Sequence, residues 1–293
     1  MNKPTNKIDG NTQIKYALSK PPRDRVYFGQ KRLDVMIRNI FSLFGILAFA
    51  AGVASGSPVV VDHQNYNAID TMPTPRLQAL ANLKVFFAHA SVGGNIVAGM
   101  KVLNSQNPVQ YPLRCEPAKG TPANTKPGAF YEYNRGNPGA DAKMALFAQY
   151  LTNGWHSPAV DVAINKFCFI DPNASFEKYI SSMTDLERNY PTTTLVYVTI
   201  PIKTKTDSSN LQRQKFNDAL REWVRKNDKV LLDIADIEAW SNGSEQKTFV
   251  LQGKTVSALR EEYSNDGGHL NSMGQLRVAK GMFTLVAQVT ARK

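Results

Sequence analysis

From about residue 80 the chain alternates short, nearly continuous apolar runs with stretches whose apolar positions recur at helical spacing. Residues 83–88 (LKVFFA) form the first run, and His89-Ala90-Ser91 and the pair Gly93-Gly94 follow it. Residues 160–169 (VDVAINKFCF) form a second run, stopped by Asp171-Pro172. The β-branched run 194–200 (TLVYVTI) ends at Pro201, and residues 230–234 (VLLDI) make a fourth. Between them, Met144, Phe147 and Leu151 predict a helix over 143–151, and Tyr179, Met183 and Leu186 one over 176–190. Phe216, Leu220 and Val224 predict a helix over 211–226 with Asp207 or Ser208 as its cap, and residues 273–289 predict a closing helix. Residues 106–142 are rich in Pro, Gly, Asn and Tyr, which predicts long loops with at most one short strand. Apolar strands alternating with helices predict a parallel sheet covered on both faces, with functional groups at the carboxyl ends of its strands.

Upstream of that body the pattern changes. Residues 40–53 (IFSLFGILAFAAGV) are one apolar run, shorter than the ~20 residues a spanning helix needs. Arg38 precedes it and small residues follow, the arrangement of a secretory signal read from Met36. The chain is therefore expected to divide three ways. Residues 1–35 are a polar basic extension, disordered or not translated; 36–56 are a signal peptide or a membrane anchor; 57–293 are one domain. Export to the periplasm or the exterior follows from either reading of 36–56, and membrane attachment through 40–53 from the second.

The 293 residues, 42% hydrophobic and 20% charged, exclude a disordered chain, a collagen and a polytopic membrane protein. Of the net charge of +11, +6 lies in residues 1–54, with nine basic and three acidic residues, and the rest is spread without a basic run. Nucleic-acid binding, which needs clustered charge, is not expected. Two cysteines are too few for a thiolate zinc site, and neither metal nor cofactor is implied. Export leaves a Cys115–Cys168 disulfide and a free buried Cys168 both open.

Two places carry chemistry. A serine directly after the first strand, Ser91, with glycines behind it, suits a tight strand-to-helix turn that exposes its hydroxyl to helix-start N–H groups. The alternative is a serine that caps a helix. Just before the closing helix, Asp266-Gly267-Gly268-His269 places a carboxylate and an imidazole three apart across two glycines. A carboxylate there fixes the tautomer of the ring and stabilises its protonated form.

With Ser91 after strand one and DGGHLNSMGQLRVA before the last helix, the chain from about 83 to 290 resembles the SGNH (GDSL-like) serine hydrolases. That resemblance implies a three-layer α/β/α sandwich around a flavodoxin-like parallel sheet. It also implies a metal-independent attack on esters, often short acyl or acetyl esters of carbohydrates or lipids. Ser91 would be the nucleophile, His269 the general base and Asp266 its orienter. The oxyanion hole would draw on Ser91, on Gly136 as an N–H donor and on Asn137. In the family's first block this chain has His89-Ala90-Ser91 where Gly-Asp-Ser is usual, and His89 could line the pocket or be structural. In the third block Ile170 stands where an asparagine side chain normally completes the hole, so either Asn137 or Lys166 substitutes, or the hole is weaker, or the chain does not catalyse. The expected partner is a small-molecule or glycan ester. An O-acyltransferase using the same residues and a non-catalytic glycan-binding module are the rival readings. Trp155-His156 could rim a sugar site or sit in a surface loop, and Arg213 and Asn217 are expected on a solvated helix face or linking to a nearby loop.

Overall fold

The computed structural model describes residues 57–242 and 244–290. The expected extension 1–35 and the signal or anchor 36–56 lie outside the described residues, as do the last three positions of the expected domain. Among the described residues no helix is long and apolar enough to cross a membrane.

In chain order the elements are β1 (Val59–Val61), α1 (Thr74–Ala81), β2 (Lys84–His89), α2 (Val92–Gln106), β3 (Arg114–Pro117) and β4 (Ala129–Asn134). Then come α3 (Ala140–Thr152), β5 (Val162–Asn165), α4 (Phe176–Asn189), β6 (Thr194–Val198) and α5 (Ser208–Lys226). The chain ends with β7 (Val230–Leu232), α6 (Ile234–Ala239), a hairpin of β8 (Thr248–Leu251) and β9 (Lys254–Ser257), and α7 (Ser272–Val289). Asp207 caps α5 as expected, accepting from the Ser209 and Asn210 amides.

Residues 106–142 hold two strands rather than at most one. β3 is an edge strand with no buried residue, so it carries no apolar run, and Glu132 interrupts the aromatic pattern of β4. The apolar run 160–169 also overstates its strand. Beyond Asn165 the chain turns, with the Cys168 amide donating to the Asp171 carboxylate (2.8 Å) and the Asp171 amide to the Cys168 carbonyl (2.9 Å).

The large sheet has seven strands in the order β1-β7-β6-β5-β2-β4-β3, and every pairing in it is parallel. Without the outer strands β1 and β3, the order is that of flavodoxin. Alternation along β2 divides the core. Val85 and Phe87 pack with α2 and α7 on one face, and Phe86 and Ala88 face the side of α3, α4 and α5. From β2 the chain crosses to β3 and β4 on one side and to β5, β6 and β7 on the other. The carboxyl end of β2 is therefore the switch point, where such sheets open a crevice.

Candidate active site

Ser91 stands at that point, between β2 and α2. Its backbone is at φ 54°, ψ −117°, a left-handed φ that side chains rarely adopt. Although Ser91 occupies the cap position of α2, its hydroxyl makes no cap bond. Instead Ser91 Oγ lies 2.7 Å from His269 Nε2. On the far side of the ring, His269 Nδ1 lies 2.7 Å from Asp266 Oδ2. A carboxylate can only accept there, so Nδ1 carries the hydrogen and Nε2 is left to accept the Ser91 proton.

The Asp-x-x-His loop builds itself around the carboxylate. Asp266 Oδ1 accepts the backbone N–H groups of Gly268 (2.9 Å) and His269 (2.7 Å). These bonds, the His269 ring bond first among them, hold the Asp266 carboxyl well below the usual carboxylate range. Gly267 has φ +81°, and a Cβ there would lie 2.6 Å from Thr204 Oγ1, so a side chain is excluded twice over. The loop is then tied to three other parts of the chain. Asn95 of α2 accepts the Leu270 amide (3.1 Å), Thr204 donates its amide to the Gly267 carbonyl (3.0 Å), and Ser264 donates its hydroxyl to the His269 carbonyl (2.6 Å). Phe169 stands edge-on to the His269 ring, with centroids 5.1 Å apart.

For an oxyanion, the amides of Ser91 and Val92 at the start of α2 are without partners among the described residues, whereas those of Gly93 and Gly94 are bonded to Ala90 and Ser91 carbonyls. Gly136 follows β4, the neighbour of β2, but its N–H donates to Asn134 Oδ1 (3.2 Å), so the expected donor is turned aside. Asn137 is exposed beside it. Ile170 is 51% exposed and offers no donor.

His89 does not line a pocket. It is buried, its Nε2 is 2.9 Å from Glu132, and burial pulls the imidazole below its ordinary range. A Cβ on Gly93 would come within 2.3 Å of His89 Cβ, so that glycine is there to let α2 pass over His89. Lys166 is likewise fully buried; its Nζ donates to the Phe167 carbonyl (2.7 Å) and lies 3.7 Å from Cys168 Sγ. Cys115 and Cys168 are free thiols, and Cys168 Sγ lies against the Ala90 carbonyl, 3.3 Å away. Trp155 is neither a rim nor a surface residue. It is buried, stacked on Phe86, with its Nε1–H on the Gly120 carbonyl.

Of the two places expected for Arg213, a solvated helix face and a link to a nearby loop, it takes the second. It is buried, and its Nε and Nη2 donate to the Phe169 carbonyl, which fixes the residue packed against His269. Asn217, also buried, bonds both the amide and the carbonyl of Ile200. The sequence signal is their spacing: Arg213, Phe216, Asn217 and Leu220 lie on one helix face, and the two apolar members mark that face as buried.

Among the described residues, Asp62, His63 and Asp236 bring three metal-ligating atoms together, at the carboxyl ends of β1 and β7 rather than at Ser91. There His63 Nδ1 is engaged with Asp236 and the ring stacks on Trp240.

No family model matches the chain, and no curated protein does. Solved structures do. A Bacteroides fragilis protein provisionally called an acylhydrolase is 12% identical over 75% of this chain and 94% of that one, with a TM-score of 0.46. A GDSL-like lipase from Bacteroides thetaiotaomicron is 11% identical over 78% and 96%, with a TM-score of 0.45. A protein from Streptococcus pneumonia, provisionally called a platelet activating factor, is 14% identical over 75% and 91%, with a TM-score of 0.41.

Proposed function

We propose that this chain is a serine-dependent hydrolase of carboxylic esters of the SGNH type. The observation that carries the reading is the unbroken line from Ser91 Oγ through the His269 ring to Asp266, each link 2.7 Å, at the switch point of the sheet. His269 Nε2 takes the Ser91 proton as Oγ forms a bond to the acyl carbon, and the carbonyl oxygen becomes an oxyanion facing the Ser91 and Val92 amides. The C–O bond to the alcohol breaks as protonated His269 hands it the proton. Water, deprotonated by His269, then attacks the acyl carbon; the Oγ–acyl bond breaks as His269 returns the proton to Ser91 Oγ, and the acid is released. Asp266 stays ionised throughout and stabilises the imidazolium.

Export through residues 36–56 and a carbohydrate hydroxyl as the alcohol belong to the same proposal and rest on the sequence. Hydrolysis of p-nitrophenyl butyrate by the full chain tests the chemistry. Ser91→Ala and His269→Ala are each expected to remove at least about 10³-fold of kcat. Activity that survives both changes would sink the reading.

A further inference from the structure

Given that esterase reading, on which this inference rests, we infer that the acyl chain of the substrate lies in a groove between α3 and α4, so that the preferred esters are those of medium-chain fatty acids. The direction comes from the triad. His269 must deliver its proton to the leaving oxygen, so the alcohol half lies on the His269 side of Ser91. That side belongs to α2 and α7, which cover one face of the sheet. The remaining substituent of the acyl carbon projects away from His269, towards the face covered by α3 and α4.

A cavity opens on that face at the carboxyl ends of β4 and β5, the two neighbours of β2. It has a volume of about 550 Å³ and lies between Pro138-Gly139-Ala140 and Ile170-Asp171-Pro172. Ile170 is one of the few large apolar side chains left exposed among the described residues, and it lies two residues beyond Cys168, whose sulfur touches the Ala90 carbonyl. A second cavity, about 360 Å³, runs on between α3 and α4, floored by Met144, Phe167 and Tyr179. Ala140 and Asp141 in the first turn of α3 border both cavities.

Side-chain size explains the groove. α3 presents Ala145 and Ala148 to it, and α4 presents Ser181 and Ser182, which are too small to close the space between two helices. From Ala140 to Ala148, α3 rises about 12 Å. The charged groups on the rim, Asp141 and Lys178, are paired with each other at 2.6 Å, and the buried Lys143 is taken by Asp171. Among the described residues no free cation faces the groove to hold a carboxylate or a phosphate, while its floor is apolar. The occupant that fits is a neutral alkyl chain.

Each buried methylene is expected to raise kcat/KM about threefold to fourfold until the groove is filled. The test is a series of p-nitrophenyl acetate, butyrate, octanoate and dodecanoate turned over by the full chain, by Ser91→Ala, and by Ala145→Trp and Ser182→Trp, which block the groove from opposite walls. The octanoate-to-acetate ratio of kcat/KM should exceed tenfold in the native chain and fall at least tenfold in both groove variants, with circular dichroism confirming that each is folded. If one groove variant does not fold, the ratio in the other decides. Ser91-dependent turnover that favours acetate, or a ratio that the folded groove variants leave unchanged, would overturn the groove assignment while leaving the esterase reading intact. No Ser91-dependent turnover of any ester would overturn both.

Discussion

At the scale of single residues, the most informative backbone is that of Ser91. Its φ of 54° is a conformation that costs a residue with a side chain on the order of 1–3 kcal/mol. The buried strand and helix on either side impose it. The geometry that exposes Oγ to His269 is thus maintained against local preference. Ser91→Gly, which tolerates that φ, should be about 1 kcal/mol more stable than Ser91→Ala in urea denaturation, although both lack the hydroxyl. Equal stabilities would show that the backbone there is unstrained. Asp266 is the second such residue. With its carboxyl held low by three N–H donors, it remains ionised wherever the protein is folded near neutrality, so loss of activity on mild acidification does not originate from it. Asp266→Asn keeps the shape but offers His269 an amide that can donate, which stabilises the wrong tautomer. A loss of about 10³–10⁴ in kcat is expected with little change in KM.

At the scale of elements, the turn that follows β5 matters most. It must bring Cys168 under Ala90, Phe169 against His269 and Ile170 into the open, all within six residues of the strand end. Asp171 organises it by accepting the Cys168 amide, and the carboxylate is compensated by Lys143 of α3, both groups being buried. A buried ion pair adds little net stability over apolar packing, but removing one partner leaves a charge uncompensated. Lys143→Met should therefore cost about 3–5 kcal/mol in chemical denaturation, and the double change Lys143→Met/Asp171→Leu should recover part of that loss. A cost below about 1 kcal/mol for the single change would mean that Asp171 is satisfied by the backbone alone. Arg213 secures the other half of the turn by gripping the Phe169 carbonyl from α5.

At the scale of the whole molecule, the buried Glu238 in α6 links stability to pH. One of its oxygens accepts the Ile202 amide at 2.8 Å, the other has no partner among the described residues, and burial pushes its carboxyl up to about 8 from an ordinary 4.5. An acid whose folded value is raised binds its proton more tightly folded than unfolded. Its contribution is then complete below about pH 4.5 and is lost as pH rises through about 8. Glu238→Gln keeps the acceptor for Ile202 but cannot ionise. The melting temperature of the variant relative to the native chain should accordingly rise between pH 5 and pH 9. A constant difference across that range would show that Glu238 does not titrate in the folded protein.

The alternation of apolar runs and helical stretches determined the parallel sheet by itself, because strands buried on both faces must be apolar throughout and the covering helices must be one-sided. Ser91, Asp266 and His269 stood out for a similar reason, their local spacing after a strand and before a helix, and the fold brings the three side chains together. Elements such as β1, β3 and β4 were harder to read, since β1 has three residues, β3 is an exposed edge strand and Glu132 interrupts the apolar pattern of β4. Tertiary structure alone decided which polar residues face the crevice. His89, Lys166 and Arg213 resemble site residues or surface residues in the sequence, and all three are buried, because their exposure depends on which helix crosses which strand end. The turn after β5 and the groove between α3 and α4 arise in the same way, from contacts between segments far apart in the chain that no local pattern encodes.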